Sequence, residues 1–180
     1  MDSKTVLEAV QNGSMSIGEA ESYFNRKAYE DMGYAKLDTY REIRSGFPEV
    51  VYCPNKPDAY LQAIYLRLLG EQGEVFGTRA TPEQAELVRQ VVPEILYSPV
   101  AKTLKLEKLD KKHEGLIAVC TAGTADVPVA EEAAQTAEFF GAKVERHYDV
   151  GVSGLHRLVS KMEALQQANC IVAVAGMEGA

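Results

Sequence analysis

Tryptophan is absent from this sequence, and cysteine is scarce: Cys53, Cys120 and Cys170 are the three in 180 residues. They stand far apart, with no CxxC pair and no Cys/His spacing suited to a metal, so neither a disulfide framework nor a zinc site is written here. An odd count without a framework points to a reducing compartment. Cys120 and Cys170 sit inside apolar runs and read as small buried hydrophobes, whereas Cys53, followed by Pro54, has no clear place. Long apolar runs are also missing. No stretch approaches the length of a membrane span, and the N-terminal MDSKTVLEAVQNG lacks an apolar signal core, so the expected location is the cytoplasm with no membrane partner. Positive charge is short as well: 19 Lys and Arg against 26 Asp and Glu give a formal net charge of −7. That balance excludes a nonspecific nucleic-acid binder, which needs cations to displace counterions from phosphate. It leaves an anionic small molecule open, because a few placed donors outweigh a distant surface charge.

What is present is a globular composition, 46% hydrophobic and 25% charged, on a chain long enough for one domain or two small ones. Residues 1 to 106 read as a small α+β unit. A short helix ends near Asn12-Gly13, and Ser16 with Glu19 three residues on forms a capping box for the next. Extended patches follow at 34–38 and 49–52. Tyr60-Leu61, Ile64-Tyr65 and Leu68-Leu69 are spaced for a helix over 58–70, closed by Gly70. A strand at 74–76, a helix from Thr81-Pro82 to about Val92, and one strand near 100–107 complete the unit. The charged stretch 107–114 lacks a buried face and reads as a linker.

From residue 115 the pattern becomes strict strand-helix alternation. Leu116 to Cys120 is an apolar strand, and 128–140 a helix with Pro128 in its first turn and Gly141 at its end. Strands at 142–148 and 170–175 flank a helix whose Leu155, Leu158, Val159, Met162 and Leu165 form a core stripe. A βαβαβ run implies a parallel sheet, with its three strand-to-helix loops opening on one edge. Those loops are TAGTAD (121–126), DVGVSG (149–154) and GMEG (176–179), and open α/β sheets bind ligands at that edge. The GxGxxG of a classical dinucleotide fold is absent, since the first loop has one glycine. A sheet of three parallel strands leaves a face to be covered, so the expectation is an incomplete domain, finished by further chain or by another copy.

The loops carry the candidate chemistry. Thr121, Gly123 and Thr124 combine hydroxyls, a close-approach glycine and a helix N-terminus suited to phosphate or carboxylate. Asp126 is either the helix N-cap or a group that accepts ribose hydroxyls or acts as a base. Gly151 and Gly154 free the second loop's backbone, Ser153 adds a hydroxyl, and Asp149 resembles a ribose acid. Arg157 offers a fork for an anion, and His156 exchanges a proton near neutral pH. Gly176 and Glu178 face the same edge from the third loop. Arg41 and Arg44 lie on one side of a helical turn and with Arg79 could reach an anionic ligand; alternatively they are surface charge paired with Asp38 or Glu49.

The motifs CTAGTAD, YDVGVSGLHRL and VAGMEGA resemble those of the LarB family of nickel-pincer cofactor biosynthesis proteins. Over this half that family is similar to the PurE-like aminoimidazole ribonucleotide carboxylases and mutases. The purine enzymes' GSxSD loop is matched by Thr121 to Asp126, and their SAHR loop by Ser153 to Arg157. Their third loop has histidine where this sequence has Glu178, which counts against purine carboxylation. Asp38, Arg41, Arg44, Gly46 and Pro48-Glu49-Val50-Val51 resemble the LarB stretch "D..R..R.G.PEVV", and Thr78-Arg79-Ala80 its TRA element. The resemblance implies an α/β fold, a small α+β N-terminal domain followed by a three-layer α/β/α PurE-like domain. It implies carboxylation of the pyridinium ring of nicotinic acid adenine dinucleotide by CO₂ or bicarbonate, and hydrolysis of the phosphoanhydride to release AMP, with Mg²⁺ assisting. It further implies that Thr121, Gly123, Thr124, Ser153 and Arg157 hold phosphate or ribose, that Asp126 and Asp149 serve ribose or acid-base roles, and that His156 and Glu178 carry protons near the ring. The family's cysteine nucleophile is expected beyond the third loop, and assembly as a homo-octamer is expected by analogy. The rival readings are a PurE-like purine carboxylase or mutase and a noncatalytic nucleotide-binding module.

Overall fold

The computed structural model describes residues 3–24, 29–38, 41 and 45–180. They divide into two compact units, Met1–Glu49 and Val50–Ala180. In the first unit, α1 (Ser3–Gln11) ends where Gly13 turns to φ 76°. Ser16 then opens α2 (Ile17–Phe24): its hydroxyl accepts from the Glu19 N–H at 3.2 Å while the Glu19 carboxylate accepts from the Ser16 N–H at 2.7 Å. This is the expected reciprocal cap. The short strands β1 (Glu30–Asp31) and β2 (Lys36–Leu37) pair antiparallel.

The second unit holds two sheets. One has the order β3-β4-β6-β5, with β3 (Val50–Tyr52) parallel to β4 (Val75–Thr78), and β6 (Thr103–Leu106) antiparallel to both β4 and β5 (Leu96–Ser98). The connection from β3 to β4 is α3 (Asp58–Gln72), which passes through Gly70 and stops at Gly73 instead. Gly73 takes the left-handed φ of 70° and donates its N–H to the Leu69 carbonyl, a closure that Gly70 inside the helix does not provide. α4 (Pro82–Arg89) begins with a capping box between Thr81 and Gln84. The single strand expected near 100–107 is a hairpin. Residues 96–98 and 103–106 pair across a turn in which Lys102 is left-handed at φ 54°.

The other sheet is parallel throughout, in the order β8-β7-β9, formed by β7 (Leu116–Thr121), β8 (Lys143–His147) and β9 (Cys170–Val174). α5 (Val127–Phe139) covers one face, packing Ala130 and Ala134 on Val119. The expected long helix after β8 is two short ones, α6 (Leu155–Val159) and α7 (Met162–Gln167), broken at Ser160-Lys161. They cover the other face, where Leu158 and Leu165 pack on Ala118, Cys120 and Val150. The rest of the expected core stripe turns outward: Leu155 is 58% and Val159 59% exposed, and Met162 is exposed beside them. The break rotates α7 relative to α6, so one straight stripe cannot face the sheet along its whole length. The result is a three-layer α/β/α arrangement around the parallel sheet, the α/β fold expected.

The charged stretch 107–114 lies within the second unit. Lys111 is nearly buried there: its Nζ lies 2.5 Å from Glu74 Oε2, donates to the Phe139 carbonyl, and stands 3.9 Å above the Phe139 ring. Phe139 in turn stacks on Phe76 of β4 at 4.8 Å between centroids. Among the described residues no helix is long and apolar enough to cross a membrane.

Candidate functional site

The carboxyl edge of the parallel sheet is stitched together by backbone. Val150 donates to the Thr121 carbonyl at 2.8 Å, Gly151 to Ala122 O at 3.1 Å, and Ala122 to Val174 O at 3.1 Å. Thr121 is buried, and its hydroxyl accepts from the Asp149 N–H at 2.9 Å. It therefore ties the second loop to the first, and its oxygen is already engaged within the fold. Gly151 is a close-approach position: a Cβ there would sit 2.6 Å from the Ala122 carbonyl oxygen and 2.9 Å from its Cα. The first two loops thus form one rigid rim.

Asp126 sits at the N-cap position of α5, yet its carboxylate does not cap that helix. It reaches back to accept from the Gly123 N–H at 2.9 Å, while its own N–H donates to the Gly123 carbonyl at 3.2 Å. The acid braces the TAG turn from inside. Thr124 is exposed beside it. The N–H groups of Thr124 and Ala125, and those of Val152 and Ser153 in the second loop, stand at the starts of helical turns, where no intrahelical acceptor exists. These four N–H groups are left without intrahelical acceptors, an arrangement that favours an anion.

Asp149 is one of the few non-glycine residues with a left-handed backbone, φ 58°, a conformation that costs on the order of 1–2 kcal/mol and persists only where its surroundings impose it. Its carboxylate is paired with Arg157 Nη1. The Arg157 guanidinium lies flat on Gly154, where any side chain would collide with it. Arg157 Nε is buried and has no acceptor. The arginine arrives half-neutralised, with one donor still unsatisfied. Ser153 and His156 are exposed at the start of the same segment.

The third loop joins this rim only through β9. Gly176 and Glu178 follow the strand at the same edge, both exposed, with Glu178 left-handed at φ 53°. The Arg79 expected near an anion is instead bound to Glu132 of α5, with Nε 3.0 and 2.9 Å from the two carboxylate oxygens. Arg41 is exposed in the first unit, and Arg44 lies outside the described residues. Among the cysteines, Cys120 is buried as expected, and burial pushes its thiol pKa up. Cys53 is fully buried, with Sγ 3.5 Å from the Tyr65 hydroxyl. Cys170, expected in the core, is exposed because β9 is an edge strand. It starts β9, so four residues at about 3.3 Å each separate it from the loop edge.

A polar network that the local sequence does not announce lies behind the second loop. Tyr148, the residue before Asp149, donates its hydroxyl to Glu131 of α5. Arg146 reaches Glu131 Oε1 at 2.9 Å and Glu138 Oε1 at 2.6 Å. Gln135 bridges Glu131 to Ser98 and accepts from Thr103. Burial pushes the Tyr148 hydroxyl up to about 12, helped by the bond and charge of Glu131. Burial alone would raise the Glu131 carboxyl, but hydrogen bonds from Tyr148, Arg146 and Gln135 hold it below its ordinary value. The available signal was the spacing of Glu131, Gln135 and Glu138 along one side of α5, which only the β8 register aligns with Arg146 and Tyr148.

Residues 29–108 match the family described as the LarB/PurE-like N-terminal domain. Along 189 aligned residues the chain is 35% identical to an uncharacterized protein of Methanocaldococcus jannaschii, covering 98% of this chain and 73% of that protein. With the family's N-terminal domain in place and a relative this similar along nearly the whole length, the chain belongs to the LarB/PurE-like family, a group of the carboxylase and mutase type.

Proposed function

We propose that this protein carboxylates the pyridinium ring of nicotinic acid adenine dinucleotide with CO₂ or bicarbonate and hydrolyses the phosphoanhydride, giving pyridinium-3,5-biscarboxylic acid mononucleotide and AMP. The observation that carries the reading is the rim itself: unengaged N–H pairs at Thr124-Ala125 and Val152-Ser153 flank Arg157, whose buried Nε lacks an acceptor. That set suits the phosphates of a dinucleotide. The Thr124 and Ser153 hydroxyls are free to follow phosphate or ribose. Asp149 holds Arg157 in place and shares it with the ligand. Asp126 acts as a brace, which assigns it to positioning.

A pyridinium ring is electrophilic at carbon and does not attack CO₂ unaided. Addition of a thiolate to the ring makes an enamine-like carbon that forms the new C–C bond; loss of that carbon's proton to a base and departure of the thiolate restore aromaticity. His156 and Glu178 are the proton carriers at this edge. Cys53 and Cys120 are buried, and Cys170 starts β9 at the end away from the loops. The resemblance to the LarB family implies that the thiolate comes from a cysteine beyond the third loop. Mg²⁺ is expected from the family resemblance, and beside phosphate oxygens it would need only one or two protein carboxylates. Asp126 and Asp149 are already engaged by Gly123 and Arg157. No step is assigned to the ion, and its place in this reading is on the substrate's own phosphates. Assembly as a homo-octamer in the cytoplasm belongs to the same proposal.

The test is calorimetric titration with the dinucleotide, alongside release of AMP and transfer of label from ¹⁴C-bicarbonate to the ring. Arg157→Ala is expected to weaken dinucleotide binding by about 10- to 100-fold, the worth of hydrogen bonds to a charged group. Asp126→Asn, which keeps an oxygen for the Gly123 N–H, is expected to bind as the wild type does. Binding unaffected by Arg157→Ala would remove the rim from the substrate site. Rapid turnover by these 180 residues would overturn the external origin of the thiolate.

A further inference from the structure

The second loop owes its shape to a side chain outside it. Asp149 is left-handed, and its position is fixed from two directions. On one side its N–H is held by Thr121. On the other, the preceding Tyr148 is anchored through its hydroxyl to Glu131. Glu131 is itself mostly buried and clamped by Arg146 at 2.9 Å and by Gln135 at 3.1 Å. Gln135 carries the network to Ser98 and Thr103 of the mixed sheet. α5, which carries Glu131, starts directly after the first loop. One carboxylate therefore links the helix rooted in the first loop to the strand that delivers the second.

We infer that Glu131, acting through Tyr148, is a positioning residue that sets the left-handed turn at Asp149 and so the placement of the Asp149–Arg157 pair at the rim. It touches no ligand. The role in substrate affinity rests on the reading that this rim holds the dinucleotide; the role in shaping the loop does not. A tyrosine whose hydroxyl served packing alone would not need a buried carboxylate that is also held by an arginine and a glutamine. Nor would it lie one residue from a backbone conformation that β-strand geometry disfavours.

The experiment compares Tyr148→Phe, Glu131→Ala and Glu131→Gln with Thr136→Val. The last is a control that removes a hydroxyl bonded within α5, to the Glu132 carbonyl at 2.6 Å. Amide hydrogen exchange is read at Val150 and Gly151, whose N–H groups bond to the first loop, and at Val75–Thr78 of β4 as a remote reference. Tyr148→Phe and Glu131→Ala are expected to speed exchange at Val150 and Gly151 by about tenfold, the worth of one hydrogen bond to a charged acceptor, with β4 unchanged. Glu131→Gln keeps an acceptor for Tyr148 and is expected to recover most of the protection. Dinucleotide affinity should follow the same order, and Thr136→Val should move neither reading. Exchange at the two loop amides that is unchanged, or that rises equally in β4, would overturn the inference. If the loop amides respond as expected but the wild-type protein binds no dinucleotide, the positioning role stands and the proposed substrate falls.

Discussion

Gly151→Ala isolates one feature of the rim, the contact between the two loop backbones. Gly151 has φ −63° and ψ 158°, a conformation alanine adopts without strain. Backbone freedom alone would make the substitution stabilising by about 0.4–1 kcal/mol through the unfolded chain. The new methyl, however, would stand 2.6, 2.9 and 3.0 Å from the Ala122 O, Cα and C atoms, all main chain. No side chain can rotate away, so the loops must part. The separation loses the Gly151–Ala122 hydrogen bond, worth about 0.5–1.5 kcal/mol, and adds overpacking of about 1–3 kcal/mol. The net cost is about 0.5–4 kcal/mol, and at about 2–4 °C per kcal/mol for a chain of this size Tm falls by about 1–16 °C. Dinucleotide affinity should fall with it, because Val152 and Ser153 move with the loop. Gly176→Ala is the matched comparison: nothing lies within 4 Å of its Cβ position, and it should melt as the wild type does. Calorimetry and titration of both variants decide the matter. A Gly151→Ala protein that melts like Gly176→Ala and binds like the wild type would refute the close approach of the two loops.

Lys111→Met leaves the Glu74 carboxylate, 10% exposed, without its partner. The expected loss is about 3–5 kcal/mol by urea denaturation, largely recovered when Glu74→Gln is added; equal stability of the single and double variants would contradict it. With a disulfide reagent at neutral pH, Cys170 should react in the native protein, while Cys53 and Cys120 react only on unfolding; burial raises both their pKa values and blocks access. A second fast thiol would show that one of these strands opens. The Glu131 carboxyl is held below its ordinary value of 4.5. Its contribution to stability is therefore complete above that value and is lost as pH falls through the lower folded one. Glu131→Gln should consequently lose less stability than the wild type in that acid range, and parallel acid curves would speak against the network.

The local grammar was legible where chemistry and neighbours in sequence suffice. The Ser16–Glu19 and Thr81–Gln84 caps, Pro128 in the first turn of α5 and the three parallel strands all follow from side chains acting within a few residues. So did the convergence of three loops on one edge, because parallel connectivity leaves no other choice. Errors arose where a residue's role depends on what packs against it. Gly70 sits harmlessly inside α3 while Gly73 ends it. Leu155, Val159 and Met162 have core-like spacing but lie on the outer side of a broken helix. Cys170 is apolar in sequence and exposed because its strand is at the sheet's edge.

The division of roles within the site shows the same limit. Sequence pattern alone placed Thr121, Asp126, Asp149 and Arg157 at the carboxyl edge of the parallel sheet, since strand ends and turn residues determine which residues reach it. It could not say that Thr121 and Asp126 spend their oxygens bracing the loops, or that Arg79 is bound to Glu132. Nor could it show that Glu131 of α5 holds the hydroxyl of Tyr148, the residue before Asp149. Apart from the Asp126–Gly123 brace, three positions apart, those assignments depend on hydrogen bonds between residues 17 to 53 positions apart. Short-range spacing fixes which faces and edges exist; only the packed chain fixes which donor meets which acceptor across them.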